Sequence, residues 1–152
     1  MYLQQLDLMA KLICGLARAM PEEHFSFVPT QGAFANARTF SEQVKHVATL
    51  IFLSAAIIKG ERSPQGPGEN DNGPSELQSK SEILRYLLDA IAYARDAMMK
   101  VDGPCGSEIT GTYFGPMPRA QVAAGMIFHS FNHYGQMVVY ARLCGAVPES
   151  LL

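Results

Sequence analysis

Apolar residues recur at spacings of three and four along four separate stretches of this chain, a period that an α-helix lays on one face. In the first stretch Leu3, Leu6, Met9, Ile13, Leu16 and Met20 share a face, and Pro21 stops the pattern. The second, TFSEQVKHVATLIFLSAAIIKGE, opens with Thr39 and Glu42 at capping-box spacing and ends at Gly60. It is apolar on nearly every side, as suits a helix packed against several neighbours. The third carries Leu77, Leu84, Leu87, Ile91, Ala94, Met98 and Val101, with Ser75 and Gln78 offering another capping box. In the fourth, Pro118 suits the first turn, the stripe runs Val122, Met126, His129, His133, Gln136, Tyr140 and Cys144, and Gly145 with Pro148 closes it. There is no internal repeat, and no stretch reads as a strand.

Four such helices in 152 residues predict an all-α four-helix bundle, one domain over 1–152. The links between them are long, at about twenty, fifteen and sixteen residues, where a simple up-down bundle needs only about two to eight. Two of them, GERSPQGPGENDNGPS and DGPCGSEITGTYFGPMP, are rich in turn formers. Long links permit crossovers between parallel neighbours, and they supply loops that cover one end of the bundle and shape a pocket there.

With 48% apolar and 17% charged residues, the chain has the composition of a globular domain with a proper core. The net charge of −2 and the absence of a Lys/Arg cluster argue against nucleic-acid binding. Cys14, Cys105 and Cys144 are odd in number and scattered, which fits reduced thiols in a cytoplasmic protein. The opening MYLQQLDLMAKLICGLARAM lacks a basic leader, and Asp7, Lys11 and Arg18 interrupt its apolar residues. No run has the length of a membrane span. The expectation is a soluble protein acting on a small molecule. The first two helices carry more apolar residues than one interface consumes, so a homodimer is expected as well, unless the surplus lies under the long loops.

The fourth stripe raises the functional question. In HSFNHYGQ, His129 and His133 stand one turn apart on the face that otherwise enters the core. A single buried imidazole usually finds a carbonyl or hydroxyl. Two stacked on one dry face each need a partner for a donor and an acceptor, and a divalent ion would take one nitrogen from each. His46 heads its own inward stripe of Leu50, Leu53 and Ile57 in the second helix. If helices two and four are neighbours, His46 completes three nitrogen ligands and leaves coordination positions open, the mark of a catalytic ion. His24, in PEEHFSF, reads as a surface residue. No ExxH motif of a di-iron bundle and no HExxH of a zinc protease occurs. Cys144 lies roughly 16 Å along the axis from His133, too far to share its site. Glu42 stands one turn before His46, either behind it or as a solvated first-turn residue. Gln136, one turn past His133, is either a substrate-pocket residue or an ordinary interface glutamine. Arg85, Asp89 and Asp96 fall on a solvated face.

The ordered combination FSEQVKHVA, FGPMPR and HSFNHYGQMVVYARLCGAVPES resembles the DinB-like family of DNA-damage-inducible proteins. Its pattern is a histidine early in helix two, an HxxxH pair in the last helix often followed by GQ, and a Leu-x-x-Gly-x-x-Pro-like tail. His46, the pair His129 and His133, Gly135-Gln136 and LCGAVP match it in turn, over most of the chain from about residue 38. The resemblance implies a four-helix bundle with a three-histidine metal site, and metal-dependent chemistry on low-molecular-weight thiols, as in thiol S-transferases and a thiol-dependent maleylpyruvate isomerase. Zinc or nickel, with iron as a third candidate, would stabilise a thiolate that attacks an electrophile held by the loops around Arg38 to Phe40 and Tyr113 to Phe114. The alternatives are a metal-dependent hydrolase and a bundle that binds metal or ligand without turnover.

Overall fold

The computed structural model describes residues 1–34 and 36–146. Its four long helices are α1 (Tyr2–Ala19), α2 (Phe40–Lys59), α3 (Lys80–Asp102) and α4 (Arg119–Leu143). Two antiparallel two-residue strands, β1 (Ile109–Thr110) and β2 (Met117–Pro118), form a small hairpin between α3 and α4. Strands of two residues are too short to imprint an alternating pattern, which is why no stretch reads as a strand. Pro118 closes that hairpin and stands immediately before the helix. Pro148 lies outside the described residues.

The hydrogen bonds fix the topology. Asp102, the last residue of α3, accepts from the Tyr2 and Leu3 amides at 2.7 and 3.0 Å and so caps the start of α1. Lys80, the first of α3, donates to the Arg18 and Met20 carbonyls at the other end of α1. These two helices therefore run antiparallel. Along α2, Thr49 bonds to Tyr86 Oη at 3.0 Å and Lys59 Nζ stands over the Tyr93 ring, so α2 and α3 ascend together. Gln43 meets Gln136 and Arg119 reaches the Ile58 carbonyl, so α4 descends along α2. The order is down-up-up-down, with α2 packed between α3 and α4 and α1 filling the remaining side. A parallel α2–α3 pair forces the 60–79 segment to travel back along the bundle, which is why that link is long.

Local chemistry sets the helix ends. Thr39 and Glu42 form the expected capping box at the start of α2. The third helix begins later than its apolar pattern implied: Ser79 and Glu82 make its capping box, whereas the Gln78 side chain bonds the Ser75 carbonyl and Leu77 stays in the loop. Both tetrads fit the spacing, and the one with a true carboxylate at the third position starts the helix, since a negative charge there also meets the helix dipole. Phe25 and Phe27 accept the Ser41 and Phe40 amides on their carbonyls at 2.8 and 2.9 Å, which seats the first link over the start of α2.

The core runs the length of the bundle. Val44, Val47, Ala48, Ile51, Ala55 and Ile58 of α2 are fully buried, against Leu6, Met9, Ile13 and Leu16 of α1, Leu87, Ala94 and Met98 of α3, and Met137 of α4. The other apolar residues of α2, Leu50, Leu53 and Ile57, stay half-buried beside this stripe. No described helix is long and apolar enough to cross a membrane.

Candidate metal centre

The seam between α2 and α4 carries the chain's histidine cluster. On α2 the flank beside the central stripe presents Gln43 and His46, and on α4 the facing stripe presents His129, His133 and Gln136. Because α4 runs opposite to α2, His46 falls level with the interval between His129 and His133. Ring centroids stand 5.0 Å apart for His46 and His129, 4.7 Å for His46 and His133, and 4.5 Å for His129 and His133. One ligand atom of each lies within 4.8 Å of the others. His46 and His133 are buried, and His129 is half-buried.

The remaining ring nitrogens decide what the cluster can do. His46 Nδ1 lies 2.9 Å from the Asp71 carbonyl. A carbonyl only accepts, so Nδ1 carries the proton and Nε2 keeps a lone pair. His133 Nδ1 donates to Gln43 Oε1, while Gln43 Nε2 donates to Gln136 Oε1 at 3.1 Å. That chain orients the Gln43 amide and leaves the His133 Nε2 lone pair free in the same way. His129 Nε2 sits 3.1 Å from His46 Nε2, and its Nδ1 is buried without a partner among the described residues.

Burial lowers the basicity of all three rings. Desolvation, followed by the nearby imidazoles and the Arg38 guanidinium, pulls His133 down to about 3, and desolvation, His46 and Arg38 pull His129 down to about 4. His46 is lowered too, chiefly by desolvation, against the opposing pull of its bond to Asp71. At neutral pH the cluster is therefore three neutral nitrogen donors, the state that ligates a metal.

These residues fit a divalent ion. Two nitrogens about 2.0–2.1 Å from one tetrahedral ion stand roughly 3.3–3.4 Å apart, close to the 3.1 Å between His46 and His129 Nε2. Two of the three rings also donate their outer N–H to a fixed acceptor, the arrangement that orients metal-binding imidazoles. Neutral imidazoles suit zinc, nickel and iron alike.

Supporting residues are more varied than the sequence pattern implied. Gln136 is exposed, and its bond goes to Gln43, so it reaches His133 through an intermediary. Gln43 itself, one turn before His46, was not singled out by the sequence pattern. The Asp71 carbonyl had no signal at all. It comes from a turn at 69–72 in the returning link, where Asn70 and Asp71 both hold positive φ. Gly68 and Gly73 pair to close that turn, and a Cβ on Gly73 would stand 2.6 Å from Thr49 Oγ1. Glu42 is spent in the Thr39 cap. Tyr113 and Phe114 are fully exposed at the tip of the β1–β2 hairpin. That hairpin bonds to Ile57, eleven residues or roughly 16 Å along α2 from His46, so those aromatics cannot shape the histidine site. Cys14, Cys105 and Cys144 are unpaired thiols away from the cluster. A cavity of about 390 Å³ opens across α2 from the histidines, lined by Glu42, Lys45, Asn70, Asn72 and Ser75 among others, and the 69–72 turn forms the wall nearer the cluster.

An all-α bundle with three convergent imidazoles on the seam of two antiparallel helices defines the class. Within it, the chain belongs to the DinB superfamily, whose family model matches residues 5–137. It is similar to a DinB-like protein of Bacillus cereus of known crystal structure, with a TM-score of 0.71 at 19% identity over 97% of this chain and 93% of that one. At that identity the likeness speaks for the fold. No curated protein matches the sequence.

Proposed function

We propose that the protein is a metal-dependent enzyme in which His46, His129 and His133 hold a divalent ion, zinc or nickel before iron, and that it acts with a low-molecular-weight thiol in an S-transferase-like reaction. The observation that carries this reading is the convergence of three neutral imidazoles, two of them locked with Nε2 free by the Asp71 carbonyl and Gln43. When bound, the ion would supply Lewis acidity that stabilises a thiolate at neutral pH, where a free thiol of pKa about 8.5 stays mostly protonated. The thiol proton would leave to solvent, the sulfur would bond to the electrophilic carbon, and the leaving group would depart with the bonding pair. The chain's own work is to hold three donors on one side of the ion, so that the remaining positions accept an outside ligand. The two buried rings and the apolar core behind them keep water from the other side. None of Cys14, Cys105 and Cys144 joins the histidine cluster, which leaves the reacting sulfur to an added thiol.

The test is elemental analysis by mass spectrometry on protein purified without a histidine tag, beside His129→Ala. About one equivalent of zinc, nickel or iron in the parent and none in the variant supports the metal centre. Thiol-dependent consumption of an alkylating electrophile by the loaded parent alone then supports the transferase. Equal metal in both samples removes the reading.

A further inference from the structure

Arg38 stands out among the arginines. Arg85, Arg95 and Arg119 each pair with a carboxylate, from Asp89, Asp7 and Glu108. Arg18, Arg62 and Arg142 are exposed to solvent. Arg38 is half-buried, and among the described residues no carboxylate pairs with it. Its position is nonetheless fixed. Nε donates to Asn72 Oδ1 at 2.7 Å, Nη2 donates to the Asn70 carbonyl at 2.8 Å, and its own carbonyl accepts from Tyr140 Oη at 3.0 Å. Asp71, between those two asparagines, gives its carbonyl to His46. One short turn is thus gripped by Arg38 at both ends and by His46 in the middle, which puts the guanidinium beside the imidazole cluster. Its charge is felt by all three rings, lowering each.

Those bonds use Nε and one side of Nη2, and the other N–H groups have no partner among the described residues. A planar guanidinium held on one edge presents the other as a fork that matches a carboxylate. Three acids lie near this turn, yet Glu42 is spent in the Thr39 cap, Glu69 and Asp71 are exposed to solvent, and none of them pairs with Arg38, which leaves its charge for an incoming anion. A half-buried charge without a counterion costs free energy that an incoming carboxylate would offset.

We propose that Arg38 is the carboxylate-recognition residue of this site, so that the thiol it takes is an anionic one, with its sulfur toward the three histidines and its carboxylate on the free edge of the guanidinium. This inference rests on the metal-and-thiol reading above. It adds the substrate class, and it explains why the returning link carries a turn with two positive-φ residues at this place: the turn aims both the Arg38 guanidinium and the His46 ring.

The experiment uses the full chain loaded with cobalt, whose visible spectrum reports a sulfur ligand directly. It is titrated with mercaptoacetate and β-mercaptopropionate and, in parallel, with their neutral esters. The acids are expected to bind at least about tenfold more tightly than the esters, the scale of one charge-assisted hydrogen-bonded pair. Because a carboxylate can also touch the metal, the deciding comparison is Arg38→Gln, in which the acid preference should fall to near parity while the ester affinity holds. An undiminished acid preference in Arg38→Gln overturns the proposal. If that variant does not load cobalt, Arg38→Lys decides: it keeps the charge and loses the fork, so the preference should drop several-fold, and an unchanged preference overturns the proposal. Equal binding of acids and esters by the parent also overturns it while leaving the thiol reading intact. A spectrum unmoved by any thiol removes the thiol reading itself.

Discussion

Two stripes of the same helix, α2, do opposite kinds of work. The central stripe, Val44, Val47, Ala48, Ile51, Ala55 and Ile58, is fully buried and brings no side-chain polar atom to the core. The neighbouring flank toward α4 brings Gln43 and His46, whose polar atoms are matched one by one, to Gln136, His133, His129 and the Asp71 carbonyl. Apolar burial is non-directional and tolerates small displacements, whereas hydrogen-bonded imidazoles do not. One helix can therefore carry stability on one stripe and a site on the next, with each open to separate change.

The largest expected effect breaks the stability side alone. Ile51→Ala removes a fully buried side chain from the centre of the stripe, and it should destabilise the fold by about 2–5 kcal/mol. Urea denaturation of the metal-free protein measures this. The folded variant should still bind about one equivalent of metal, since Ile51 supplies none of the hydrogen bonds that hold the histidines. Metal loss in the folded variant would mean that the two stripes are not separable. Gln43→Leu makes the reverse cut. It removes the acceptor of His133 Nδ1 while keeping the buried volume, so metal affinity should fall by about 10–100-fold. The urea midpoint of the metal-free variant should move much less than that of Ile51→Ala.

Acid should also separate the stripes, because only one of them titrates. Without metal, His129 and His133 hold pKa values of about 4 and about 3, and His46 is lowered as well, against about 6.5 in an unfolded chain. Below that value the unfolded state binds more protons than the folded one, so stability must drop with pH. It is fully present above about pH 6.5 and is lost progressively as pH falls toward 4 and then 3. Replacing His133 with Phe should flatten that slope in a urea series at stepped pH, and an unchanged slope would show that the rings are not held neutral by the fold.

How much of this was legible depends on what kind of contact was at issue. The helices, the Thr39 capping box and the three histidines announce themselves because each is a pattern within one element: a period, a tetrad, an i,i+4 pair. The seam that unites His46 with His129 needed only the guess that α2 and α4 are neighbours. The start of α3 was harder, since Ser75-to-Gln78 and Ser79-to-Glu82 both have the right spacing and only the second has a carboxylate to close the box. The Asp71 carbonyl was invisible, because it is a backbone atom whose place depends on a parallel α2–α3 pair and on the link that must therefore return past His46. Tyr113 and Phe114 were misplaced for the same reason. A loop's end of the bundle follows from topology, and nothing in DGPCGSEITGTYFGPMP says which end that is.

The smallest expected effect gives the finest comparison, because it sets one capping box against another. Thr39 and Ser79 each accept the backbone N–H three residues on, and each is met by a glutamate reaching back. Replacing either with Ala should cost about 0.5–2 kcal/mol, which for a chain of this size lowers the melting temperature by about 2–4 °C per kcal/mol. On stability alone the two variants should look alike. They differ in what the first turn carries: α3 opens on Lys80, which is tied to the end of α1, whereas α2 opens between Arg38 and Gln43, whose amide bonds the Thr39 carbonyl at 2.9 Å. Fraying at Thr39 loosens the grip on His133 through Gln43 and on the 69–72 turn through Arg38. Thr39→Ala should therefore weaken metal binding measurably in a competition titration against a chelator, and Ser79→Ala should leave it where it was. Equal metal affinity in both would mean that the site is held by the α2–α4 seam alone and not by the way α2 begins.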